Sequence, residues 1–224
     1  MIVELQIVLI VLLLALSAYS VPPELEKVRE LINACRVGDV YTVEKLAEEG
    51  VNINYADATG LTPLMTASAY GQVAIVRTLL KRKANFETRD NDGYTALSHA
   101  VVQNQLEVCK LLVNSGADIN LPRRSPWSIA LLTDGTLKIA EFFVHERHSV
   151  NVRDIKGRTG LMIAAKHGKR AAVEFLIDNG ADPTLHDNSG RTALDWANFS
   201  VQAAQEDGAN FSEQQSVANY LSQI

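Results

Sequence analysis

Two histidines three residues apart are the strongest candidate for catalytic or metal-binding chemistry in this chain. The segment His145-Glu146-Arg147-His148 places two imidazoles at a spacing that can share a metal ion. No third ligand follows at a recognisable spacing, and a solvated turn is the preferred interpretation. The alternative function of this chain is therefore that of an enzyme or metal-binding protein that uses the His145/His148 region.

Other signatures of catalysis are missing from the sequence. No serine lies in a Gly-x-Ser-x-Gly motif, and no glycine-rich loop has a phosphate-binding pattern. The sequence therefore predicts no catalytic residue, no cofactor and no metal. The formal net charge is −5, which argues against a general nucleic-acid-binding protein. The two cysteines, Cys35 and Cys109, lie far apart in sequence, and we expect them to be buried and free.

A six-residue cluster recurs along the chain and predicts the elements that position its side chains. The first copy is Thr62-Pro63-Leu64-Met65-Thr66-Ala67. The copies begin at intervals of 33, 30, 34 and 33 residues, at Thr62, Thr95, Ser125, Thr159 and Thr192. A fixed period near 33 indicates stacked repeats, each too small to bury its own apolar face. The hydroxyl and the proline predict a helix start, and an apolar pair that closes 13 residues after each of the first four alanines predicts a second helix.

These units resemble ankyrin repeats, from about residue 25 to the C-terminus. Turns such as Gly116-Ala117-Asp118 and hairpin tips of the form Asp-x-x-Gly, as at residues 57–60, also match the family. The resemblance implies a mainly α fold, an ankyrin-repeat solenoid of about six helix-turn-helix and hairpin units, in one domain spanning residues 21–224. The last unit carries an insertion near residues 201–212. In size and layout the chain is similar to exported, periplasmic bacterial members of the family.

Two departures from the family pattern lead to expectations about the stack. The family usually has a histidine directly after Thr-Pro-Leu, and we expect its hydrogen bonds between repeats to be missing here. The residues at that position are Met65, Ser98, Ser128, Met162 and Asp195. The third hairpin, residues 121–125, lacks Asp-x-x-Gly and is three residues short, which predicts a notch in the row of tips. Both a binding feature and a decayed repeat would explain that notch.

The resemblance also implies which residues bind a partner, because hairpin tips and the exposed side of each first helix line a concave surface in this architecture. The candidate partner-binding residues are Tyr70, Arg89, Tyr94, Arg123, Arg124, Arg153, Lys156, Arg158, Lys166, His167 and Arg191. The stretch from residue 123 to 191 is strongly basic, although the whole chain is acidic. We therefore predict a protein partner with an acidic surface patch, and no nucleic acid.

Residues 1–20 lie outside the repeats and have the layout of a signal peptide. An unbroken apolar run over residues 7–18 precedes Ala18-Tyr19-Ser20, which offers small residues for cleavage before Val21. The run is short for a membrane span, which needs about 20 residues. An uncleaved N-terminal anchor is the alternative, and only then would residues 7–19 contact a membrane. We expect a periplasmic or secreted protein; in a eukaryotic secretory pathway Asn210 would be an accessible glycosylation site.

Together these features predict a non-enzymatic, exported protein-interaction module that binds its partner through the concave face. Two specific roles fit this class. The chain is either an immunity or inhibitor protein that neutralises a toxic partner, or an accessory factor that supports a periplasmic enzyme.

Overall fold

The computed structural model describes residues 22–121, 124–146 and 148–224, and these ranges contain twelve helices arranged as six pairs. The helices are α1 (Pro23–Val37), α2 (Val40–Glu48), α3 (Pro63–Ala69), α4 (Val73–Lys81), α5 (Ala96–Val102), α6 (Leu106–Asn114), α7 (Pro126–Leu132), α8 (Leu137–His145), α9 (Gly160–Lys166), α10 (Arg170–Asp178), α11 (Ala193–Glu206) and α12 (Ser212–Leu221). The odd-numbered helices pack against one another as an inner layer, and the even-numbered helices form the outer layer. The prediction of a mainly α solenoid with six units is confirmed.

The inner helices of units 2 to 6 begin where the recurring cluster predicts. Each is capped by a hydroxyl that accepts a hydrogen bond from the backbone N–H three residues later, as in the 3.2 Å bond from Met65 N to Thr62 Oγ1. The capping residues are Thr62, Thr95, Ser125, Thr159 and Thr192. Pro63 and Pro126 stand in the first turn, where a missing N–H costs nothing.

The core lies between the two helix layers and runs along the whole array. The alanines that end the recurring cluster are completely buried, because only a small side chain fits where inner and outer helices approach closely. They are Ala67, Ala100, Ala130, Ala164 and Ala197. Leu112 and Phe143 fill the space beneath the outer helices and are also fully buried. Cys35 and Cys109 are free and buried, as expected, and burial raises the pKa of each thiol to about 12.

The hairpin tips are organised by their aspartates. Oδ1 of Asp187 accepts hydrogen bonds from the backbone N–H groups two and four residues later, at 2.8 and 3.0 Å. Asp57, Asp90 and Asp154 bond their own tips in the same way. Each aspartate therefore holds its tip closed through local chemistry, as Asx turns do.

Neighbouring hairpins are also joined to each other, but only in pairs. The first and second are linked by a 3.1 Å bond from Asn91 N to Thr59 O, and the fourth and fifth by a 3.0 Å bond from Asn188 N to Lys156 O. The described residues of the third hairpin make no bond of this kind to either neighbour. Residues 122 and 123 of that hairpin lie outside the described residues, so the notch in the row of tips stays a prediction.

The fourth unit is repacked around Trp127, which replaces the usual leucine. The short third hairpin is held by Ser125 Oγ, which donates to the carbonyl of Ile119 at 2.9 Å. A Cβ placed on Gly160 would lie 2.8 Å from Trp127 Nε1 and 2.9 Å from Leu131 Cδ1. The indole thus occupies space that any other residue at position 160 would need. This explains the glycine where other units have proline or alanine.

The last unit differs from the others in length. Helix α11 has 14 residues, whereas the inner helices α3, α5, α7 and α9 have seven. The insertion predicted near residues 201–212 therefore extends the helix to Glu206 and then forms a loop over residues 207–211. Helix α12 starts at Ser212, and Asn210 Oδ1 accepts the Ser212 N–H at 3.0 Å.

A cleft of about 450 Å³ opens on the outer side of the array. It lies where the turn before α8, the first turn of α10 and the first turn of α12 meet, and an ion pair of 2.8 Å between Lys169 and Asp134 spans it. In the described part of the chain, every helix is too short or too polar to cross a membrane. The signal peptide or anchor predicted for residues 1–20 lies outside the described residues.

Candidate functional site

The inner face consists of the exposed side of the inner helices together with the hairpin tips. Large apolar side chains remain exposed on four inner helices: Val37 at 61%, Tyr70 at 56% and Val102 at 37% stand at helix ends, and Phe199 at 51% lies in the middle of α11. Because these side chains contribute nothing to the core, they are available for a partner surface.

Tyr94 and Arg124, two of the predicted binding residues, lie close together on this face. The Arg124 guanidinium carbon lies 4.8 Å from the centre of the Tyr94 ring. The centre of the His99 ring lies 5.4 Å from the centre of the same Tyr94 ring. His99 Nε2 in turn lies 2.8 Å from Asp90 Oδ2. Asp90 thus couples its hairpin to the inner helix α5. We call Asp90, Tyr94, His99 and Arg124 the Tyr94 cluster.

Lys166 and Arg191 meet on Trp196 at the C-terminal end of the face. The Arg191 guanidinium carbon lies 3.9 Å, and the Lys166 ammonium nitrogen 4.9 Å, from the centre of the indole. Trp196 Nε1 donates to Asp187 Oδ2 at 3.0 Å, and the Phe199 ring stands edge-on to the indole at 5.9 Å. We call Lys166, Asp187, Arg191, Trp196 and Phe199 the Trp196 cluster.

Two of the predicted cations are engaged within the protein. Arg158 donates from Nε and Nη2 to Asp154 Oδ2, at 2.9 and 2.7 Å, so its charge is largely compensated. Burial opposes ionisation of Asp154, but the hydrogen bonds from the side chain and backbone of Arg158 outweigh it and lower the pKa of that carboxyl. Arg153 donates from Nη1 to the carbonyl of His186 at 2.9 Å, which ties the fourth hairpin to the fifth.

His167 lies at the end of α9 among positive charges. Partial burial and the neighbouring cations Lys166, Arg158 and Lys169 lower its pKa below the ordinary histidine value. The imidazole is therefore neutral near pH 7 and accepts a proton more readily once a negative charge approaches.

The remaining predicted residues are not part of a cluster. Tyr70 ends helix α3, Arg89 precedes the second hairpin, and Lys156 is at the tip of the fourth; all three are exposed. Arg123 lies outside the described residues.

In the described residues, His145 and His148, the candidate metal ligands of the alternative interpretation, do not belong to a group of side chains that could bind a metal ion. His148 stacks on Trp127 at 4.6 Å between ring centres, and its Nδ1 lies 3.3 Å from Asn120 Nδ2. Burial lowers the pKa of His148, against the opposing charge of Asp118. His145 is exposed at the end of α8. Within the three described ranges, no group of three or more His, Cys, Asp or Glu side chains could hold a metal ion.

Sequence reasoning missed two features of the face. Trp196 was not among the residues predicted to line the face, whereas Phe199, one period of 33 residues after Lys166, could be placed there from the sequence. We also expected no hydrogen bonds between repeats from the residues that replace the family's histidine, and this expectation is wrong at Ser98. Ser98 Oγ donates to the carbonyl of Arg124 at 2.8 Å and so joins the third unit to the fourth.

Two family models match the sequence, each over a different part of the array. One, described as ankyrin repeats in three copies, matches residues 31–123, and the other, ankyrin repeats in many copies, matches residues 144–197. The chain belongs to the ankyrin repeat family. Its repeats are therefore those of a protein-interaction module.

Similar ankyrin sequences occur in much longer proteins. The chain is 49% identical over 49 residues to the regulatory protein SWI6 of Kluyveromyces lactis. The aligned segment covers 22% of this chain and 6% of that protein. It is 44% identical over 54 residues to ankyrin repeat family A protein 2 of Homo sapiens, covering 24% of this chain and 17% of that protein. The chain thus spans less than a fifth of the length of either relative.

A solved structure matches most of this ankyrin chain. It is the complex of the predatory endopeptidase Bd0816 from Bdellovibrio bacteriovorus with the immunity protein Bd3460. The TM-score is 0.66 at 30% sequence identity, and the match covers 87% of this chain and 97% of the matched chain. The similarity therefore extends over the array as a whole and is not confined to a few repeats.

Proposed function

We propose that this ankyrin chain is an immunity-type inhibitor that binds a peptidase through its inner face. The similarity to a chain of a peptidase–immunity protein complex, over 97% of that chain, carries the proposal. An ankyrin array closes no pocket of its own around a substrate, and its inner face is a long concave surface suited to another folded protein. We propose accordingly that the chain has no catalytic activity.

The charges of the inner face support a partner with an acidic patch. Lys156 is exposed at a hairpin tip, and Lys166 and Arg191 project beside Phe199 at the C-terminal end. Such a surface increases the association rate with an acidic partner and disfavours basic ones. The exposed Tyr70 and Val102 supply apolar contact nearer the N-terminal end.

The test is capture and inhibition of the partner. The chain is immobilised, proteins of the source organism's exported fraction are bound and identified, and the peptidase activity of each bound protein is titrated with free chain. We expect a peptidase whose activity falls to zero at a 1:1 ratio. A partner without peptidase activity would refute the proposal, and a partner whose activity rises would indicate an accessory factor instead.

A matched pair of variants separates the inner face from the rest of the molecule. Lys156→Glu on a hairpin tip should slow association, whereas Lys110→Glu on the outer helix α6 should not. The effect of Lys156→Glu should shrink as salt rises, because charges are screened over about 8 Å at physiological ionic strength. Equal association rates for the two variants would place the partner elsewhere.

We propose further that the protein acts outside the cytoplasm. The apolar run and the Ala18-Tyr19-Ser20 sequence support a cleaved signal peptide, and cleavage would leave Val21 as the first residue. N-terminal sequencing of the native protein tests this. A chain that retains Met1 in a membrane fraction would instead indicate an uncleaved anchor.

A further inference from the structure

We infer that the Trp196 cluster is the anchoring site of the inner face, and that it takes a carboxylate side chain of the partner protein whose apolar neighbour packs on Phe199. The inference rests on the proposed function only in assuming a protein partner. The chemistry of the site follows from the charges and rings described above.

Among the described residues, one cation of the cluster has no ion pair and the other has a single, long one. Lys166 makes no ion pair or hydrogen bond there, and its ammonium group rests on the indole alone. The Nε of Arg191 lies 3.5 Å from Asp187 Oδ2 and has no hydrogen-bond partner, although it is buried. Nε is shielded from solvent, but neither Nη1 nor Nη2 of Arg191 makes a hydrogen bond among the described residues, so these two groups can donate to an incoming carboxylate.

Asp187 offsets part of the charge of Arg191, from which it lies 3.5 Å away, but its oxygens also accept hydrogen bonds from other groups. Oδ1 accepts two backbone N–H groups of its own hairpin, and Oδ2 accepts the indole N–H of Trp196. These hydrogen bonds, led by the backbone N–H of Arg191, lower the pKa of Asp187 against the effect of burial. The carboxylate is thus a fixed part of the scaffold that holds Trp196 in place.

The indole holds two like charges close together. Lys166 and Arg191 both lie within 5 Å of the same ring centre. Each gains from the ring face, but they repel one another in the free protein. A carboxylate placed between them would relieve that repulsion, and the site is already ordered before the partner arrives.

Phe199 determines what must accompany the carboxylate. Its ring is half exposed and stands edge-on to Trp196, so it offers a fixed apolar surface directly beside the cations. Buried aromatic and arginine side chains of this kind dominate binding energy at protein interfaces. The occupant that fits is an acidic residue followed or preceded by an apolar one.

The Tyr94 cluster shows that a cation on an aromatic ring is not sufficient. There a single cation, Arg124, lies over the ring, and its backbone carbonyl already accepts a bond from Ser98. The carboxylate Asp90 lies 2.8 Å from His99 Nε2 in the same cluster. Among the described residues, the Tyr94 cluster has no second cation over its ring and no large exposed aromatic side chain at its edge, so we expect the Trp196 cluster to be the stronger anion site.

The chain contains two tryptophans, which makes a direct experiment possible. The indole N–H signals of Trp196 and Trp127 are followed by NMR while an acetylated and amidated peptide, Glu-Leu-Glu-Phe, is added. We expect the Trp196 signal to move in a saturable way and the Trp127 signal, from the fourth unit, to stay in place. The same peptide with glutamine for glutamate should leave both unchanged.

Variants assign the effect to named side chains. Arg191→Gln and Phe199→Ala should each weaken binding of the acidic peptide by about tenfold or more. Lys110→Gln, a cation on the outer helix α6, should not change it. Lys166→Gln provides a second removal of charge should Arg191→Gln disturb the hairpin, and an unchanged circular dichroism spectrum verifies the fold.

Three results would overturn the inference: no shift of Trp196, equal shifts with the glutamate and glutamine peptides, or binding of the glutamine peptide once its C-terminus is left free. The last would mean that the site reads chain ends instead of acidic side chains. This experiment needs no peptidase. If the acidic peptide binds at Trp196 but the captured partner is not a peptidase, only the proposed function fails.

Discussion

Gly160 and Trp127 form a compensating pair, and restoring a side chain at position 160 should destabilise the protein. The backbone of Gly160 has an ordinary φ at the start of helix α9, so alanine is permitted there and is favoured by up to about 1 kcal/mol through helix propensity. Its Cβ, however, would lie 2.8 Å from Trp127 Nε1 and 2.9 Å from Leu131 Cδ1. Both distances are shorter than ordinary van der Waals contact, and overpacking of this kind costs about 1–3 kcal/mol.

The clash exceeds the propensity gain, so we expect Gly160→Ala to lower the free energy of unfolding by about 1–2 kcal/mol. In the background of Trp127→Leu the obstructing ring is gone, and the same change should be neutral or slightly stabilising. A double-mutant cycle from urea unfolding of the four proteins measures the difference, which should be about 1–3 kcal/mol.

The control is Ala96→Gly, which removes a Cβ at the same helix position of the third unit. It should destabilise in either background by a similar amount, because Trp127 does not lie on α5. If Gly160→Ala had the same effect with and without Trp127, the packing described for the fourth unit would be wrong.

Three further predictions concern stability. Leu112→Ala should lower the free energy of unfolding by about 2–5 kcal/mol, because Leu112 is fully buried. Lys110→Ala on the same helix should lower it by less than about 0.5 kcal/mol, and urea unfolding of both variants measures the difference. Arg158→Ala should cost about 1 kcal/mol, because its half-buried pair with Asp154 has two charge-assisted bonds; a loss that does not shrink on protonation of Asp154 in acid would contradict this. Burial lowers the folded-state pKa of His148, so its contribution to stability is complete above the unfolded value of about 6.5 and is lost as the pH falls through the folded value. His148→Phe should flatten the fall in stability between about pH 7.5 and 5.5, and an unchanged slope would exclude His148 as its source.

The helices and their starts could be predicted because their causes are local. Thr62 caps a helix by bonding a backbone group three residues away, and Asp187 closes a hairpin by bonding groups two and four residues away. Both patterns can be recognised within a window of six residues. The recurrence of the pattern at a fixed period then implies the solenoid.

The candidate site could be predicted only in outline, because its clusters join residues from different units. The period places Lys166 and Phe199 in equivalent positions of adjacent units, but it does not show that Lys166 and Arg191 converge on the ring of Trp196. Nor does the pattern distinguish a cation that faces solvent from one that pairs within its own hairpin. Arg158 was predicted as a binding cation, and the structure shows that it is compensated by Asp154.

Among the described residues, backbone hydrogen bonds join the first hairpin to the second and the fourth to the fifth, and this arrangement has a consequence for cooperativity. In a linear array each unit is stabilised by its nearest neighbours, so an interface without hairpin bonds transmits less of that stabilisation. We therefore expect units 1–3 and units 5–6 to behave as two blocks, each of which can open while the other stays folded. Asp90, Tyr94 and His99 of the Tyr94 cluster lie in the first block and the Trp196 cluster lies in the second, whereas Arg124 belongs to the third hairpin between the blocks. A partner that contacts both clusters would act as a clamp across the two blocks and make the array unfold as one.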